Sequence, residues 1–154
     1  MKSNGQALSR RSVLLAGAGS MAVVAIVAET ALATPEQAAA EIKKVIGDKT
    51  PAEGRIKLDL PSIAENGLVV PLAFEVESPM TDKDYCKAVH IFSEENPSAT
   101  IAAYYFTPAI PKAAAQLRIR LAKTQNVIAV AEMSDGKFYT AKKECKVTVG
   151  GCGG

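Results

Sequence analysis

Val127-Ile128-Ala129-Val130-Ala131-Glu132-Met133-Ser134-Asp135-Gly136-Lys137-Phe138-Tyr139-Thr140-Ala141 is the stretch that decides the fold. Val127–Met133 reads as a strand. Asp135-Gly136 then supplies the residues a tight hairpin needs, and Lys137–Ala141 is the returning strand. Upstream the same period of two recurs. Arg55–Leu60 alternates polar with apolar residues, and Leu68–Glu77, Lys87–Phe92, Thr100–Phe106 and Gln116–Leu121 are further strands. Pro71 demotes the second of these locally to an edge or bulge, because proline has no N–H for a ladder. Asn66-Gly67, Asn96-Pro97 and Thr107-Pro108 punctuate the runs as turns. Lys146–Val149 alternates again and leads into Gly150. Short strands separated by turns predict an all-β protein, an antiparallel β-sandwich.

One helix precedes the strands. Thr34 can cap it, Pro35 suits its first turn, and Gln37 completes a capping box. Ile42, Val45 and Ile46 give helical spacing, and Gly47 or Gly54 can end it. Before Thr34 the sequence has the character of an export signal. Ser9-Arg10-Arg11-Ser12 is followed by an apolar run from Val13 to Ala28 and by Ala31-Leu32-Ala33, a small-x-small cleavage site. The paired arginines indicate the twin-arginine route, which is a receptor-read address rather than an anchor. Val13 and Leu15 depart from the usual residues of that motif. The expected organisation is a cleaved signal peptide over 1–33, a sandwich over 34–149 and a flexible glycine-rich arm over 150–154. The chain is expected to be exported, without stable membrane association.

The leader contains Lys2, Arg10, Arg11 and Glu29, so of the chain's 18 basic and 16 acidic residues 15 of each remain after its removal. A formally neutral domain gives no electrostatic argument for nucleic acid. The remaining 121 residues are enough for one domain with a core.

Chemistry concentrates at Gly150-Gly151-Cys152-Gly153-Gly154. The four glycines have no side chains to pack and leave the thiol on a thin arm. They offer no base or cation, so about 3% of an unperturbed thiol is thiolate at pH 7. Such a thiol is quiet alone and becomes reactive inside a partner's site, which suits a carrier better than a catalytic cysteine. Cys86 and Cys145 complete an odd set. In an oxidising compartment they are the natural disulfide pair, leaving Cys152 free; the alternative is two buried thiols packed as small hydrophobes. His90, the sole histidine, lies between apolar neighbours and suits a structural role. Tyr104, Tyr105 and Phe106 suit core or interface. Lys142, Lys143 and Lys146 suit a solvated strand face, with steering of an anion as the alternative. No metal-spaced cluster and no phosphate loop occur, so neither metal nor cofactor is expected.

Val147-Thr148-Val149-Gly150-Gly151-Cys152-Gly153-Gly154 resembles the end of the SoxY family of bacterial thiosulfate oxidation. The leader, the stretch Asp84-Tyr85 to Tyr105, and Ile128–Gly136 are similar to that family too. The resemblance implies an immunoglobulin-like sandwich, a periplasmic location and a heterodimer with SoxZ. It implies that Cys152 carries sulfur intermediates covalently and that the chain is not itself an enzyme. Transient partners would be SoxAX, which loads thiosulfate, SoxB, which releases sulfate, and SoxCD where present. Cys86 and Cys145 depart from the family's usual single cysteine. Two other classes compete. One is an exported binding module whose Cys152 only forms an intermolecular disulfide. The other is a carrier using the Gly154 carboxylate, disfavoured because adenylation needs ATP and the chain is read as exported.

Overall fold

The computed structural model describes residues 33–149. The signal peptide expected over 1–33 and the arm over 150–154 fall outside the described residues, except for Ala33.

The helix α1 spans Pro35–Ile46 and begins as expected. The Gln37 N–H donates to Thr34 Oγ1 (3.4 Å) and the Thr34 N–H donates to Gln37 Oε1 (3.2 Å). This reciprocal pair satisfies two amides that the first turn would otherwise orphan. Gly47 ends the helix, its N–H donating to Lys43 O at 2.8 Å.

Nine strands follow: β1 (Ala52–Glu53), β2 (Ile56–Asp59), β3 (Ile63–Ala64), β4 (Val70–Val76), β5 (Cys86–Ser93), β6 (Thr100–Tyr105), β7 (Ala113–Ile119), β8 (Gln125–Met133) and β9 (Phe138–Val147). They form two sheets. The larger has the order β1-β9-β8-β5-β6, with β3 also pairing β9, and the smaller has the order β2-β4-β7. The fold is all-β and immunoglobulin-like, with one short helix among the described residues. The chain crosses between sheets immediately after β1, where Gly54 (φ 104°) and Arg55 (φ 56°) both take positive φ. The Arg55 guanidinium lies over the Tyr139 ring at 5.1 Å, and the Glu77 N–H donates to Arg55 O.

Alternation sorts the side chains. On β8, Val127, Ala129, Ala131 and Met133 enter the inter-sheet core, where they join Leu72, Phe74, Val76, Val89 and Ile91. The opposite face of β8 carries Ile128 and Val130, which with Phe92 and Phe138 receive Ile42, Val45 and Ile46 of α1. Both faces of β8 are therefore buried, which explains why its sequence is a continuous apolar run. Pro71 lies in the central strand of the smaller sheet. Strand β2 pairs only with Ala73–Val76, so Pro71 sits where that neighbour has already ended. The local edge expected there is present within a central strand.

Two readings are corrected. Lys137–Ala141 and Lys146–Val149 are not separate strands: one ten-residue strand, Phe138–Val147, runs through both, and Thr148 and Val149 lie beyond its end. The intervening Lys142-Lys143-Glu144 looks like a loop in sequence because Lys142 and Glu144 are on the outer face. The Lys142 ammonium pairs with Glu94 at 2.5 Å. The second correction concerns the cysteines. Cys86 and Cys145 are free thiols, both buried. Cys86 stands opposite Met133 at one end of β8, and Cys145 stands opposite Gln125 at the other. Eight residues of β-strand separate those positions by ~26 Å at 3.3 Å per residue. A disulfide needs Cα atoms within ~7 Å, so the expected Cys86–Cys145 bridge cannot form in this fold.

Candidate functional site

Strand β9 leads in sequence toward Cys152, and its surroundings are unusually complete. On one side β8 pairs with it from Glu132↔Phe138 to Gln125↔Cys145. On the other side two short parallel strands share its length. Strand β1 pairs Ala52 with Tyr139, and β3 pairs Ile63 with Lys146 and Ala64 with Val147. An edge that would otherwise expose unpaired amides and carbonyls is thus covered near both ends.

The clamp tightens toward Val149. The Lys146 N–H donates to Ser62 O (2.9 Å), the Val147 N–H to Thr124 Oγ1 (2.9 Å), and the Thr148 N–H to Ala64 O (3.1 Å). The Thr148 hydroxyl donates to Glu65 O (2.9 Å). Val149 O accepts from the Gly67 N–H at 2.7 Å, and Gly67 O accepts from the Leu121 N–H at 2.8 Å. The Asn66-Gly67 turn, closed by the Leu68 N–H on Asn66 Oδ1 (2.8 Å), is therefore part of the collar around the strand end. Nothing in the sequence marked Thr124 for this role, and Asn66-Gly67 read only as a turn. Their meeting with Val147 and Val149 is a product of tertiary register.

Cys152, Gly150, Gly151, Gly153 and Gly154 lie outside the described residues. The other two thiols bear on Cys152 by contrast. Burial pushes the Cys86 thiol up to about 11, against a weaker opposing hydrogen bond to Ala88 O. Burial also raises Cys145. Both stay protonated at neutral pH and shielded from reagents, so neither supplies a competing nucleophile.

The remaining candidates fall on strands β5, β6 and β9 and on Phe106 just after β6. His90 lies on the outer face of β5, stacked near Phe92 and edge-on to Tyr105 at centroid distances of 6.3 and 6.1 Å. Burial lowers its pKa, with Glu132 opposing, which favours a neutral ring. Among the described residues no three His, Cys, Asp or Glu side chains converge as metal ligands. No described helix is long and apolar enough to cross a membrane. Tyr104 and Phe106 pack on Phe74 in the core, whereas Tyr105 is exposed. Lys146 is exposed beside the collar, and Lys142 is occupied by Glu94.

Fold and site together define a small immunoglobulin-like domain whose sequence passes from a clamped edge of the sandwich into a glycine-flanked cysteine. The chain belongs to the SoxY family: the family model described as sulfur oxidation protein SoxY matches residues 42–152, a span that includes Cys152. The sulfur carrier protein SoxY from Chlorobium limicola f thiosulfatophilum is 32% identical, with a TM-score of 0.61 over 72% of this chain and 96% of that one. The superoxide reductase (neelaredoxin) from Ignicoccus hospitalis is 17% identical, with a TM-score of 0.51 over 75% of this chain and 94% of that one, a likeness of fold alone. No curated protein sequence matches the chain.

Proposed function

We propose that this protein is a periplasmic carrier that holds sulfur intermediates of thiosulfate oxidation on the Cys152 thiol. The observation that carries the reading is the continuity of the family match through Cys152, three residues beyond the clamped Val149. Burial of Cys86 and Cys145 supports it by removing the rival thiols. The carrier itself performs no turnover. Loading joins thiosulfate to the thiolate: a carbon-bound sulfur and the outer sulfur of thiosulfate form an S–S bond, and two electrons leave to the haem enzyme SoxAX. Hydrolysis by SoxB then breaks the bond between sulfur and the sulfonate group. Water supplies the oxygen, sulfate and two protons depart, and a persulfide remains on Cys152. SoxCD, where present, oxidises that sulfur before a second hydrolysis restores the thiol.

The stable partner in this reading is SoxZ. The outer face of the β2-β4-β7 sheet supports the availability of a partner surface. It carries a shallow trough over Pro71, Ala73, Gln116 and Arg118, and α1 covers only the other sheet. Export along the twin-arginine route would let a leaderless partner travel with the folded chain.

The test is intact mass measurement of the periplasmic protein from cells grown on thiosulfate, with and without reductant. The expected result is reductant-removable sulfur or thiosulfate on the peptide containing Cys152, absent from Cys152→Ser. An unmodified thiol, or a disulfide dimer without sulfur adducts, would instead support the binding-module reading.

A further inference from the structure

Only Gly150 and Gly151 separate Val149 from Cys152 in sequence. A fully extended chain advances at most ~3.3–3.6 Å per residue, so three residues of chain allow the Cys152 backbone a reach of roughly 10 Å from that of Val149. A protein that reacts with Cys152 must therefore bring its own surface against the residues around Val149.

Those residues are apolar and open to solvent. The large hydrophobic side chains exposed among the described residues are Ile63, Leu68, Val69, Tyr105, Ile110 and Val149. Four of the six belong to the collar. Val149 is 63% exposed, Ile63 60%, Val69 56% and Leu68 47%. Ile63 is held beside Lys146 by the β3–β9 ladder, and Leu68 and Val69 directly follow the Gly67 amide that donates to Val149 O. Single exposed hydrophobics are ordinary. Four gathered on the segment that grips one strand end mark an interaction surface. The exposed charges on these segments are Glu65, Arg120, Lys123 and Lys146, with Lys123 paired to Glu95, so the apolar side chains stand beside charges of both signs.

We infer that Ile63, Leu68, Val69 and Val149 form the landing surface for the enzymes that load and unload Cys152. The occupant is an apolar rim around an active-site opening whose depth is matched by the roughly 10 Å reach beyond Val149. The inference rests on the carrier reading and deepens it. A small apolar contact suits sequential use: a carrier handed from one enzyme to the next must leave each quickly, and low-area encounters are the transient ones.

The test compares Val69→Asp and the milder Ile63→Ser with the unaltered exported protein in reconstituted loading by the thiosulfate-joining haem enzyme. Alkylation of Cys152 by iodoacetamide is measured in parallel. Val69→Asp is expected to lower kcat/KM about tenfold or more, the scale set by one apolar anchor at an interface, while alkylation is unchanged. Ile63→Ser lowers it less, and Ile110→Ser, an exposed apolar site elsewhere, leaves it unchanged. Folded Val69→Asp and Ile63→Ser proteins that load at the unaltered rate would overturn the landing surface while leaving the carrier reading intact. Full loading of Cys152→Ser would overturn the carrier reading, and the landing surface with it.

Discussion

Cys86 and Cys145 are both buried thiols, and Cys152 is the thiol of the proposed carrier. Reduced native protein is expected to take up one equivalent of iodoacetamide, on Cys152, and three equivalents in denaturant; a native uptake of two or more would show that Cys86 or Cys145 is accessible. Burial also links Cys86 to alkaline stability. Its folded pKa of about 11 lies above the ordinary value of 9.0, so the folded state retains a proton that the unfolded state has released. The Cys86 contribution is constant below pH 9, and it lowers stability as pH rises from 9 towards 11. Cys86→Ala removes this dependence, and its thermal midpoint is expected to drop less steeply over that interval than that of the parent. The sequence favoured a Cys86–Cys145 disulfide over two buried thiols, and the structure has the buried thiols. Pairing depends on register, and both cysteines neighbour β8 at opposite ends, a relation absent from any local window.

The individual elements were mostly visible, because burial patterns repeat at the period of each element. The capping box of α1 and the Asp135-Gly136 hairpin appear as read. Gly136 takes φ 79°, and an added Cβ there would also lie 3.2 Å from Lys49 Nζ. Gly136→Ala is therefore expected to destabilise the domain by roughly 1 kcal/mol, measurable by urea unfolding. Strand β9 was split in two by its charged outer face, and the two-residue strands β1 and β3 carry too few residues to show a period. Of these hidden pieces β3 joins the collar and β1 covers the opposite end of β9. Thr124→Val removes the acceptor of the Val147 N–H and is expected to weaken local closure by about 1 kcal/mol. Amide exchange at Val147 and Thr148 should accelerate roughly fivefold while core amides of β8 stay slow. Unchanged exchange would show that Thr124 does not hold the strand end.

For the molecule as a whole, the sandwich followed from counting strands and turns, but sheet order did not, since pairing partners are chosen by packing across the core. The division between leader and domain makes its own prediction. Ala33 is buried against Ala38 and Ala99, and its N–H donates to Asn96 O at 2.6 Å. Cleavage after Ala33 would remove this seat while leaving the Thr34 capping side chain in place. Amino-terminal sequencing of the exported protein is expected to read Thr34-Pro35-Glu36, and a start elsewhere would relocate the boundary. The placement of β9 between β8 on one side and β1 and β3 on the other has a mechanical consequence as well. Ladder hydrogen bonds lie across the strand axis, so traction applied at Val149 along β9 loads them together in shear instead of opening them one after another. In the proposed carrier β9 is therefore a firmly rooted tether, with a pull on the arm borne by ladders on both sides of the strand at once.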